Sequence, residues 1–150
     1  MIQSNFERNQ YWSEFCLNQE SKKIIMDAKN ISRIALGTML VAAGIAHLTF
    51  GRKEFQAQVP DWVPLKKDDT VVYSGIAEIA LGAAIIATPK KHRSILGKIT
   101  AVFFTAVFPG NISQYKNRRD AFGLETDERR KARLFMQPLL IGWALKSMKD

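Results

Sequence analysis

The chain has 150 residues, which suits one domain, and its 22 Lys plus Arg against 14 Asp plus Glu give a formal charge of +8. That balance points to an acidic partner such as nucleic acid or a membrane surface, yet no nucleic-acid-binding motif accompanies it. The single cysteine, Cys16, excludes an intramolecular disulfide and any CxxC chemistry.

Where the charges lie says more than their total. Segments 34–50, 70–88, 99–115 and 134–145 hold 65 residues and one formal charge, Glu78, where the mean rate of 24% would give about 16. Four apolar blocks separated by charged connectors describe a polytopic membrane protein. A soluble four-helix bundle would carry a charged stripe opposite each apolar face, and these blocks offer only Gly, Ser, Thr and a few uncharged polar residues there. The expected fold class is therefore all-α, a transmembrane four-helix bundle.

Residues 1–30 precede that bundle as a polar extension, either a water-facing tail or an amphipathic helix docked at the interface through Tyr11, Trp12 and Phe15. Glu7, Glu14, Glu20 and Asp27 exclude a signal peptide, and Met26 offers an alternative start that would lose little of the membrane domain. The first span is expected over about 31–50, long enough at 1.5 Å per residue to cross ~30 Å of hydrocarbon. In the connector 51–69, Pro60 and Pro64 prevent a long helix and Trp62 suits the membrane surface. The second span covers about 70–88, and Lys90, Lys91, His92 and Arg93 form a tight basic hairpin into the third, about 94–115, where Pro109 predicts a kink or a broken helix. The fourth, about 133–148, has only 12 residues between Arg133 and Lys146, so it either crosses with both side chains snorkelling or is re-entrant.

The positive-inside count ties, with 11 bases on each side. A cytoplasmic N-terminus is favoured because bases cluster before the first span, which usually dominates.

A polar side chain in hydrocarbon is costly without a partner, so His47, Glu78, Asn111 and Gln137 are the informative residues. Antiparallel spans put all four in the same half of the bilayer, beside connector one (51–69) and connector three (116–131). Gly37, Gly44, His47 and Gly51 share a face of span one, and Ser74, Glu78 and Gly82 share one of span two, so these small-residue faces are expected to pack on each other. An axial offset of ~7 Å between His47 and Glu78 could be bridged by side-chain reach or by one water. Two readings of the cluster stand: a structural one, with Glu78 fixing helix register and the amides satisfying carbonyls at the kink, and a polar cavity for a small molecule, a quinone head group or a proton. No metal-ligand cluster, nucleophile elbow or phosphate loop is present in the sequence.

GIAHLTF at 44–50, VPDWVP at 59–64, SGIAEIALG at 74–82, VFPGNI at 107–112 and RLFMQPLLIGWA at 133–144 stand in an order and spacing that resembles the DoxX-like family of small four-span membrane proteins, over about 31–148. The resemblance implies a left-handed bundle of four helices. It also implies association with respiratory or oxidative-stress complexes, the family taking its name from a membrane subunit associated with thiosulfate:quinone oxidoreductase. MauE-like relatives that handle thiols match poorly, because a cysteine pair is missing, and Gly110 stands where the family motif leads one to expect Ala.

The expectation is thus a multi-pass protein of a bacterial-type cell membrane, an accessory or anchoring subunit of a redox-linked, quinone-associated complex rather than a stand-alone enzyme. Its partners would be the lipid bilayer and redox-complex subunits, and a quinone or a lipid the group it could hold. The rival class is a carrier or enzyme acting on a lipophilic small molecule within the bundle. Whether Glu78 lines an open cavity or is sealed in packing discriminates the two.

Overall fold

The structure is a computed structural model that describes residues 2–121 and 126–149, with side chains from Trp12 onward except at position 13. Among the described residues it is all-helical: α1 (Ile2–Leu48), α2 (Arg52–Phe55), a 3-10 turn (Gln56–Gln58), α3 (Lys67–Ala87), α4 (Lys90–Lys116) and α5 (Asp127–Ser147). The chain divides into two compact units, Met1–Ser32 and Arg33–Asp150. In the first, the Trp12 and Phe15 rings meet edge to face at 5.9 Å and Cys16 is exposed.

In the second unit the helix ends follow local chemistry. Asp68 and Asp69 occupy the first turn of α3, where acidic side chains favour the helix dipole. Pro89 ends that helix and caps the next, so the turn is only Thr88 and Pro89. The basic run from Lys90 to Arg93, expected as the hairpin itself, is instead the first turn of α4. Helix α4 also runs unbroken through Pro109, whose ring removes one amide donor without ending the helix. Thr126 caps α5 by accepting from the Arg129 amide, and α5 therefore starts ahead of Arg133, where the fourth span was expected to begin.

Among the described residues, three helical segments are long and apolar enough to cross a membrane: Glu14–Leu48, Lys67–Ala87 and Lys90–Lys116. Helix α5 has an uninterrupted uncharged run of only 12 residues, between Arg133 and Lys146. Large apolar side chains nonetheless stand exposed on all four long helices, among them Ile45, Ile76, Val102 and Leu139.

Glycines set the spacing of α1 against α3. A Cβ placed on Gly44 would lie 2.5 Å from the Gly75 carbonyl oxygen, and one on Gly82 would lie 2.5 Å from the Gly37 carbonyl oxygen. Gly75, one residue beyond Ser74, makes the contact opposite Gly44. At the far end of this pair, buried Arg33 donates from Nη1 to the carbonyls of Ile85 and Ile86, two of the four that a helix C-terminus leaves without amides. Helix α4 packs on α5 through Gly97, where a Cβ would meet the Ala144 carbonyl at 3.0 Å. Leu36, Leu40, Ile85, Phe104, Ala144 and Met148, drawn from all four long helices, form the apolar core.

Candidate functional site

Beyond that core, towards connector one, the four helices part around a cavity of about 730 Å³. This lies within the range of about 300–1,000 Å³ typical of small-molecule sites. Helix α1 contributes His47, α3 contributes Ser74 and Glu78, α4 contributes Pro109 and Asn111, and α5 contributes Arg133 and Gln137. The connector completes the wall with Phe55, Gln58, Val59, Pro60, Trp62 and Val63. Of the polar, interface and kink residues named from sequence, His47, Ser74, Glu78, Asn111, Gln137, Trp62 and Pro109 line it and Pro64 does not.

His47 and Glu78 meet directly, so the ~7 Å axial offset is spanned by side-chain reach. His47 Nδ1 lies 2.8 Å from the Ala43 carbonyl oxygen and 2.9 Å from Glu78 Oε2. A carbonyl can only accept, so a hydrogen bond to Ala43 requires the proton on Nδ1. That proton points at Ala43, and Glu78 Oε2, although close, is a buried oxygen with no hydrogen-bond partner among the described residues. The other face of the imidazole stacks on the Phe55 ring, with centroids 3.4 Å apart and planes 16° from parallel. Arg133, half-buried, brings a positive charge to the same cavity wall.

Asn111 and Gln137 form a separate chain. Asn111 Nδ2 donates to Gln137 Oε1 at 2.9 Å, and Gln137 Nε2 donates to the Phe104 carbonyl at 2.6 Å. That carbonyl lies one residue before Thr105, whose own acceptor loses its amide to Pro109, so the amides brace the turn next to the proline. Asn111 is buried and fully drawn into this chain.

Connector one is tied down by ionic contacts. Arg52 pairs with Asp68 at 2.5 Å, and Gln56 adds a hydrogen bond of 2.9 Å to the same carboxylate. Asp61 pairs with Lys67 at 2.8 Å and with Arg119 at 2.5 Å, while Arg119 also donates to the Val59 carbonyl. The hydrogen bond from Lys67, with further help from the Arg119 charge, holds the Asp61 carboxyl below the usual carboxylate range. Gly110 lets the connector approach α4, since a Cβ there would stand 3.0 Å from the Gln58 carbonyl oxygen.

Residues 36–148 match the family described as Domain of unknown function (DUF8561). The chain belongs to that family. The matched region contains every residue of the cavity wall. No curated protein and no solved structure matches the chain.

The sequence reading missed Phe55, Gln58 and Arg133 as members of the site. Phe55 and Gln58 carry no charge or periodic pattern that sets them apart in a connector, whereas Arg133, the first base before an apolar run, was legible as a snorkelling residue but not as a neighbour of Glu78 in the cavity wall. It also passed over Pro138, the second proline inside a helix, which follows Gln137 directly.

Proposed function

We propose that the chain is a four-span integral membrane protein of DoxX-like type that holds a lipophilic small molecule between its helices. The observation that carries this reading is the position of Glu78: the one charge in the four apolar blocks stands in the wall of a cavity and is not packed shut. A carboxylate kept in such a place at an insertion cost of at least ~2.5 kcal/mol calls for a role. The largely apolar lining, with a few converging polar groups, suits an apolar molecule whose orientation is set by its polar end.

Four crossings are supported by α5 itself. Phe135 and Leu139 are 72% and 71% exposed and lie four residues apart, an apolar stripe that water would penalise and lipid would not. Arg133 and Lys146 at its ends have stems long enough to reach the interface. A cytoplasmic N-terminus gains support from the end of the second unit that carries Arg33, Lys90, Lys91, Arg93 and Lys146, since residues 89–98 contain four Lys or Arg and no acid.

The rival role, an accessory or anchoring subunit of a redox-linked complex, draws its support from the motif resemblance alone. Purification from native membranes separates the two. A carrier or enzyme should retain a defined small molecule, identified by mass spectrometry of the extract, and Ala43→Phe, which fills the cavity from α1, should lose it while remaining folded. An accessory subunit should instead bring stoichiometric partner proteins, with no small molecule beyond bulk lipid.

A further inference from the structure

The groups lining the cavity narrow the chemistry of its occupant, an inference that rests on the cavity being a binding site at all. The position of each lining residue along its helix orders the wall by depth. Nearest the connector stands Arg129, an exposed residue at the rim whose charge water screens. Next comes His47, and further in Glu78 stands level with Leu40, as the Gly44–Gly75 and Gly37–Gly82 contacts set the register of α1 on α3, while Phe104 and Leu140 add apolar wall. Polar groups and apolar side chains thus share the wall, with Glu78 beside the apolar Leu40.

Two properties of the wall discriminate between ligands. Its inward formal charges already balance, because the wall carries one carboxylate, Glu78, and one inward guanidinium, Arg133. A ligand bearing a net charge would leave one charge uncompensated in a water-poor site, which is strongly unfavourable. The wall also holds an acceptor without a donor. Glu78 is 8% exposed and its Oε2 is buried with no hydrogen bond, because the nearest proton, on His47 Nδ1, is aimed at the Ala43 carbonyl. By contrast, both amide groups of the neighbouring Asn111 and Gln137 pair are engaged with each other or with the backbone. What Glu78 Oε2 lacks is a hydrogen-bond donor, while Gln58 Nε2 in the same wall is a buried donor with no partner among the described residues.

We propose that the cavity takes an uncharged, largely apolar alcohol or phenol, whose hydroxyl donates to the Glu78 carboxylate while its hydrocarbon lies against Leu40, Phe104 and Leu140. Such a bond to an ionised acceptor is roughly twice as strong as a neutral one. A site built to receive a hydroxyl also rejects the analogue that lacks it, because the buried acceptor is then left unpaired.

The test uses four probes on one scaffold: para-octylphenol, its methyl ether, para-octylbenzoic acid and para-octylbenzylamine. Binding to the full purified chain in detergent is read from the emission of Trp62, which lines the cavity, with Trp12 and Trp143 replaced by Phe. The phenol should bind at least tenfold more tightly than the ether and more tightly than either charged probe. Glu78→Gln, which keeps shape and an acceptor but removes the charge, should weaken the phenol about tenfold and leave the ether unchanged. Equal binding of phenol and ether, the result expected if water satisfies Glu78, overturns the proposal while leaving a lipophile site intact. Tighter binding of the acid or the amine overturns its charge argument. Binding by none of the four takes down the cavity reading itself. Should Glu78→Gln fail to fold, the comparison of probes on the native chain decides alone.

Discussion

At the residue scale, Glu78 carries an unusual balance of costs. Its carboxylate is desolvated, yet the imidazole beside it spends its proton on a backbone carbonyl, so the pair yields less than its 2.9 Å separation suggests. Glu78→Gln should therefore leave the melting temperature in detergent unchanged or slightly raised while ligand retention falls. A large loss of thermal stability would mean that the ionised carboxylate holds the helices together. Asp61 follows the opposite logic. Its carboxyl is held low by Lys67 and then Arg119, so its contribution to fastening the connector is complete above the ordinary Asp value of about 3.9. It is lost only as pH falls further, through the lowered value. Trp62 emission should accordingly stay constant from neutral pH down to about 4 and change below it, and Asp61→Asn should produce the acid spectrum at neutral pH. A transition near pH 6 would instead place the fastening on a histidine.

At the element scale, the contact between α1 and α3 is decided by backbone and not by side-chain bulk. Gly44→Ala puts a methyl group 2.5 Å from the Gly75 carbonyl oxygen, closer than any carbon and oxygen rest, so the helices must part. Overpacking of this kind costs about 1–3 kcal/mol. In a protein of this size each kcal/mol lowers the melting temperature by about 2–4 °C. Gly142 on α5 serves as the control, because a Cβ there meets nothing within 4 Å. Gly142→Ala should be neutral or stabilise by about 0.5–1 kcal/mol through helix propensity. Equal effects at the two sites, measured by thermal melting in one detergent, would show that the glycines of α1 are not packing positions.

For the molecule as a whole, the expected behaviour is that of an integral protein. The apolar blocks lack a charged face, and alkaline carbonate should leave the chain in the membrane pellet; recovery in the soluble fraction without detergent would end the membrane reading. Orientation is open to a probe the chain already carries, since Cys16 is exposed. With a cytoplasmic N-terminus, a membrane-impermeant maleimide should label Cys16 only after cells are opened. Labelling of intact cells would put the cavity, with Glu78 and Trp62, in the half of the bilayer facing the cytoplasm.

Much of this architecture was legible before any coordinate. The charge partition marks four apolar stretches, and each falls on a helix apart from the last one or two residues of the first two, because burial or lipid contact acts on every side chain of a stretch and therefore leaves a local record. The glycine spacing on span one was legible for the same reason, as were the polar residues at a common depth, which follow from counting residues along antiparallel helices. Tertiary structure alone decided that Glu78 borders open volume, that Phe55 returns from the connector to stack on His47, that Gly75 and not Ser74 faces Gly44, and that Arg133 shares the cavity wall with Glu78. A cavity is what remains when four packed surfaces and a connector fail to fill the space between them, and no single segment encodes that difference. Which of two adjacent residues faces a neighbouring helix, and which nearby acceptor a histidine proton selects, depend in the same way on rotations and distances that only the assembled helices define.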